Sequence, residues 1–209
     1  SHASCETLET FDWGARASGE SVARFVQASP RLLDLTFNDR NFPIPKIGIV
    51  AIGMHCQHLT SLDLADNTQL DDEAVLALFG GDTQHNGQHN GQHNGQHNGQ
   101  HNGQQCGGCP ALRRLNIGST STPDDFDEDG WEAHMQAMKA VTDRSIGHLR
   151  YASVLPRLVW LNLRGREVVS IPDVLTAVCT VRPALTIQVS MGLDGDGELV
   201  VANMNFQPD

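Results

Sequence analysis

The nine residues CQHLTSLDL at positions 56–64, followed by Asn67, Leu70, Asp72, Val75 and Leu78, decide the fold of this chain. Cys56, Leu59, Leu62 and Leu64 set an apolar frame that recurs with its exposed positions changed. Cys5, Leu8, Phe11 and Trp13 repeat it. Ser29, Leu32, Leu35 and Phe37 repeat it again with Ser in the Cys place. Cys109, Leu112, Leu115 and Ile117 follow, then Leu155, Leu158, Leu161 and Leu163. A proline after the anchor (Pro30, Pro110, Pro156) fixes the register. Cys5 and Ser29 lie 24 residues apart, Ser29 and Cys56 lie 27 apart, and Leu155 and Arg182 again lie 27 apart. Self-similarity at this period marks a repeat architecture.

The alternation around Leu62 and Leu64 is that of a short strand with its apolar side chains on one face. The next stretch, Asp71 to Phe79, has Ala74, Val75 and Leu78 at helical spacing and an acidic start that suits a helix N-terminus. Each unit is therefore strand, turn, helix. One unit cannot bury its own apolar face, so neighbours must stack into a continuous core. An ordinary α/β domain would not need the same strand pattern five times.

On these residues the chain resembles the cysteine-containing leucine-rich repeat family, found in F-box substrate receptors of ubiquitin ligases and in related regulators. The Cys-type anchors, the LxxLxL cores and Leu70 to Asp72, where the family usually shows Ile, Thr, Asp, carry the resemblance. It implies an α/β leucine-rich repeat solenoid of about five to six repeats, a curved horseshoe with a parallel sheet on its concave face and helices on the convex one. A single domain over 1–209 is expected, with a low-complexity insertion at 81–108 and a cap at 185–209. The family's ligase role departs from this chain in one respect: no F-box helix cluster stands ahead of Cys5, so that role requires further N-terminal sequence. The first residue is Ser, so the chain is read as a fragment or processed product.

The formal net charge of -11 over 209 residues argues against a general nucleic-acid binder, since phosphate binding wants a basic footprint. No apolar run approaches the ~18 residues of a spanning helix. Three of the five cysteines (Cys5, Cys56, Cys109) are accounted for as buried anchors, which points to a reducing compartment, cytoplasmic or nuclear.

Gln84 to Gly103 is five copies of QHNG with no apolar residue, a loop expansion between a helix and the next strand. Its histidines suggest weak zinc or nickel capture, but a flexible tract is not preorganised, and no cofactor or metal site is assigned. Cys106 and Cys109 form CxxC without the second pair that zinc needs or the βαβ context of a redox site. Asp124, Asp125, Asp127, Glu128 and Asp129 read as an acidic loop leading into a helix from Trp131 to about Ala140 rather than a cation site. A second helical stretch is expected over 142–154, with Ile146, Leu149 and Val154 inward. Leu185, Ile187 and Val189, then Leu199 to Met204, predict a closing hairpin. Asp194, Asp196 and Glu198 between them miss the calcium-loop spacing.

No GxSxG, Walker loop or HExxH occurs, and no His stands beside a repeat-defined nucleophile, so the chain is expected not to be an enzyme. Function is sought in the non-core strand positions. One column runs Thr10, Asp34, Ser61, Arg114, Trp160; the next runs Asp12, Thr36, Asp63, Asn116, Asn162; after the strand come Gly14, Asn38, Ala65, Gly118, Arg164. The N-terminal half is acidic, whereas the C-terminal half carries Arg114, Arg164 and Trp160. Trp and Arg dominate interface hot spots. A protein partner with a mixed or acidic surface is therefore expected on Arg114, Asn116, Trp160, Asn162, Arg164 and Asp63, the chain acting as a monomer or within a larger complex. The alternatives are the substrate-recognition part of an F-box ligase and metal binding through the QHNG tract.

Overall fold

The computed structural model describes residues 7–14, 16–37, 43–80, 107–166, 171–193 and 199–204. Seven strands lie in one sheet in chain order: β1 Thr10–Trp13, β2 Asp34–Phe37, β3 Ser61–Asp63, β4 Arg114–Asn116, β5 Trp160–Asn162, β6 Thr186–Leu193 and β7 Leu199–Met204. The first six are parallel, and β7 returns antiparallel to β6. Parallel neighbours need crossover connections. Here these are the helices α1 Gly19–Ala28, α2 Lys46–His55, α3 Asp72–Phe79, α4 Glu128–Met138 with α5 Asp143–Ile146, and α6 Ile171–Val181.

The register shows why the repeat letters are constant. Leu35, Leu62, Leu115, Leu161 and Ile187 pair across consecutive strands, and all five are fully buried. They meet Val22, Val26, Ile49, Ile52, Val75, Leu78, Val178 and other helix residues in one continuous core. The anchor makes the same tight turn in each of the five units from β2 to β6. Leu32, Leu59, Leu112, Leu158 and Leu185 each donate a backbone N–H to the carbonyl three residues back, on Ser29, Cys56, Cys109, Leu155 and Arg182, at 2.9–3.2 Å. Buried Cys56, Cys109 and Cys179 are free thiols, and burial pushes Cys56 up to about 12. Cys5 and Cys106 lie outside the described residues, as do the QHNG tract, Asn38, Asp194, Asp196 and Glu198.

Helix starts follow their capping residues. Ser18, Asp71, Asp127 and Thr142 each accept a backbone N–H two or three residues on. Asp127 explains why α4 begins before Trp131, the start expected from its apolar pattern. The stretch 142–154 also differs from expectation: α5 lasts one turn, gives way to a 3-10 turn at Gly147–Arg150, and ends at Leu155 with φ 43°. The cause is Arg182, whose guanidinium donates to the carbonyls of Leu149, Tyr151, Val154 and Leu155 and so holds them out of a helical ladder. Ile146 and Leu149 still reach the core, while Val154 is only partly buried.

Two close approaches fix the helix layer. A Cβ at Gly53 would lie 2.4 Å from the Ala77 carbonyl oxygen, so α2 and α3 pack at glycine distance. At the foot of α3, Gly80 (φ 76°) and Gly108 (φ 57°) abut, and Cys109 N–H donates to the Leu78 carbonyl at 2.9 Å. The chain thus re-enters the described fold where it left.

Candidate functional site

On the sheet face opposite the core, the strand register places Thr10, Asp34, Ser61, Arg114, Trp160 and Thr186 in one row. Arg114 is exposed and lies over the half-buried Trp160 ring, its guanidinium carbon 5.1 Å from the ring centroid. Such a pair contributes about 0.5–1 kcal/mol at an exposed site and holds both side chains in place.

The next row behaves differently from expectation. Asn116 and Asn162 are 9% and 4% exposed, so neither projects to solvent. Their side chains close the strand ends: Asn116 Oδ1 accepts the Gly118 N–H at 3.3 Å, and Asn162 Oδ1 accepts the Arg164 N–H at 3.0 Å. Asn162 Nδ2 also donates to Asn116 Oδ1 at 2.9 Å. Asp63, half buried, makes the same bond to Ala65 N–H at 2.9 Å. The row is therefore a ladder of side-chain turns, because Asp and Asn readily satisfy the backbone two residues on. Its letters are shared structure, and the signal was present in the sequence as Asp or Asn at one position of four of the five units. Arg164, half buried, follows this ladder, and its Nε is buried without a hydrogen-bond partner.

A second cluster, which the sequence did not reveal, sits beyond the C-terminal ends of β3, β4 and β5. Asp66 is 4% exposed and has φ 58°. Its carboxylate accepts from the Ser119 and Thr120 hydroxyls and from the Thr120 and Ser121 backbone N–H groups. His134 Nε2 lies 3.2 Å from Ser119 Oγ and 3.7 Å from Asp66 Oδ1. Burial alone would raise Asp66, but these hydrogen bonds outweigh it and hold the carboxyl below its ordinary value. Burial pushes His134 down, with Asp66 opposing and Arg166 reinforcing. Arg166 donates to the carbonyls of Asn67, Ile117 and Met138, and burial lowers it to about 10.

Outside the repeat positions, the fold brings α4 over the β4 loop and sets His134 beside the Ser119 hydroxyl. The trio does not have the geometry of a proton relay. In a relay the carboxylate holds the imidazole nitrogen remote from the hydroxyl. Here Asp66 accepts the Ser119 hydroxyl's hydrogen bond directly and approaches the same nitrogen, and Ser119 and His134 are only 5% and 7% exposed. The cluster ties three units together.

Residues 55–79, the end of α2 through β3 to the end of α3, match the family model described as Leucine Rich repeat. That stretch is similar to a leucine-rich repeat. The match supports a leucine-rich repeat protein, and the mixed α/β architecture with its six parallel strands is consistent with that fold. No curated protein matches the chain. Leucine-rich repeats generally mediate protein–protein interaction and are typically non-catalytic. Among the described residues, no group of three or more His, Cys, Asp or Glu side chains is placed to hold a metal, and no helix is long and apolar enough to cross a membrane.

Proposed function

We propose that this chain is a protein-interaction module whose partner docks on the sheet face opposite the helices, at β4 and β5. The observation that carries the reading is Arg114 held over Trp160, an Arg–Trp pair on an otherwise polar face. Arg164 extends the contact surface. Asp63, Asn116 and Asn162 serve it from beneath by fixing the strand ends. The reading takes 1–209 as one curved stack of about five to six repeats with this face concave. In it 81–108 is an insertion and 185–209 closes the end, a role supported by the antiparallel β6–β7 pairing. Trp160→Ala, purified from the native cell alongside the unaltered protein, is expected to lose partners that are otherwise recovered. Recovery of the same partners would sink the proposal.

A second reading, the receptor part of an F-box ligase, is supported by the buried free thiols at the anchor positions. These also favour a reducing compartment. It predicts F-box helices in the full gene and recovery of ligase subunits with the full-length protein. Metal capture by the QHNG tract falls on residues outside those described.

A further inference from the structure

The described cations of this acidic chain differ in their partners. Lys46 pairs with Asp71 at 2.7 Å and with Glu73, Arg24 meets Glu20, and Arg166 and Arg182 are taken up by backbone carbonyls. Among the described residues, Arg31, Arg113, Arg114, Arg150, Arg157 and Arg164 have no carboxylate partner, and Arg150 is bonded to the Tyr151 hydroxyl instead. Arg31 precedes β2, whereas Arg113, Arg114, Arg157 and Arg164 all belong to β4, β5 or their flanks, and the first three of these are exposed. Arg113 immediately precedes β4, and its carbonyl accepts both the Val159 and Trp160 N–H groups at 2.9 and 3.1 Å, so Arg113 and Arg114 lie beside the start of β5. Arg157 leads into that same strand. Val159, 38% exposed, and half-buried Trp160 supply apolar surface between them.

We propose that the partner of this face is an acidic protein segment with closely spaced carboxylates, lying across the N-terminal ends of β4 and β5 and engaging Arg113, Arg114 and Arg157 around Trp160. The proposal rests on the interface reading above and adds Arg113, Arg157 and the chemistry of the partner. Charge complementarity decides the occupant. A net charge of -11 repels polyanions in general, so a local set of unpaired guanidiniums admits an acidic segment only where it touches them. Arginine suits the task because its planar fork takes a carboxylate with two parallel hydrogen bonds. Arg114 is already held over Trp160, so less side-chain freedom is lost when the carboxylate arrives.

The test uses the full chain and three fluorescein-labelled probes read by anisotropy: a deca-glutamate peptide, a deca-lysine peptide and a single-stranded DNA oligonucleotide. The glutamate peptide is expected to bind best, to weaken as salt is raised, and to lose about tenfold or more in affinity with Arg113→Glu/Arg114→Glu. Both side chains are exposed, so this variant should fold, as circular dichroism will show. Arg157→Glu is the second variant and should lose several-fold. Absence of glutamate-peptide binding, equal binding to the charge-reversed variants, or tighter binding of DNA or the lysine peptide would each overturn the proposal. Loss of cellular partners with Trp160→Ala but not with charge reversal would leave the interface standing and remove only its acidic occupant.

Discussion

The two halves of the sheet solve the same stacking problem with different chemistry. From β1 to β3 the units close by apolar contact and small residues. Ser29 and Cys56 fill the anchor sites, Gly53 lets α2 and α3 touch, and Asn67 fills its loop by donating to the Ile44 carbonyl and accepting the Gln69 N–H. From β4 to β5 the connection is longer, and from β4 to β6 two buried arginines take over. Arg166 stands three residues after Leu163, as Asn67 stands three after Leu64, and Arg182 stands where Cys56 and Cys109 stand in theirs. An arginine reaches several carbonyls at once, so it can organise an irregular connection that a thiol or amide cannot. What that half loses in regularity it recovers as hydrogen bonds to charged donors.

The contrast breaks most sharply at Arg182. Replacement by Ala should destabilise the fold by about 3–5 kcal/mol in urea unfolding, since it strands at least four carbonyls around Leu149 and Leu155. A loss near that of an ordinary surface substitution would show that the 3-10 turn holds itself. The matching change in the N-terminal half is Gly53→Ala, which drives a methyl against the Ala77 backbone. About 2–3 kcal/mol is expected, from overpacking rather than lost polarity.

Acid should separate the halves next. Asp66 has a lowered folded pKa, so its contribution is fully present above the ordinary carboxylate value of 3.8 and is lost as pH falls through the lower folded one. His134 is also lowered, so its neutral form favours folding. That contribution is complete above 6.5 and declines as pH falls from 6.5 toward the folded value. His134→Gln should flatten the stability curve between those two pH values, and Asp66→Asn should flatten it below 3.8. Unchanged curves in both variants would detach the cluster from stability. The smallest effect is expected from replacing 82–106 with a short Gly-Ser linker, because the flanking ends already meet. Stability should stay level or rise by up to about 1 kcal/mol through shorter loop closure.

Core and register were legible in the sequence because each depends on spacing. Leu62 and Leu115 need only be apolar at the right interval to pair as they do. The helix start at Asp127 and the broken stretch after Ile146 were not legible, since one depends on a capping bond and the other on Arg182, 36 residues further along the chain. The Asp and Asn row was visible but misassigned: a polar letter on the open side of a strand looks exposed until its hydrogen bond to the backbone is seen. The Asp66 cluster left no trace, because Ser119 and His134 come together only once α4 has folded back over the loop.

Gly80 and Gly108 touch, and between them runs a tract whose unit is four residues long. A tandem tract of this kind is prone to slippage when its gene is copied, and the join makes the fold indifferent to the result. Individuals or close relatives should therefore differ in the number of QHNG copies while the residues on either side stay fixed. Length variation would then be tolerated at this one point and selected against wherever the entering and leaving strands of a loop stand apart.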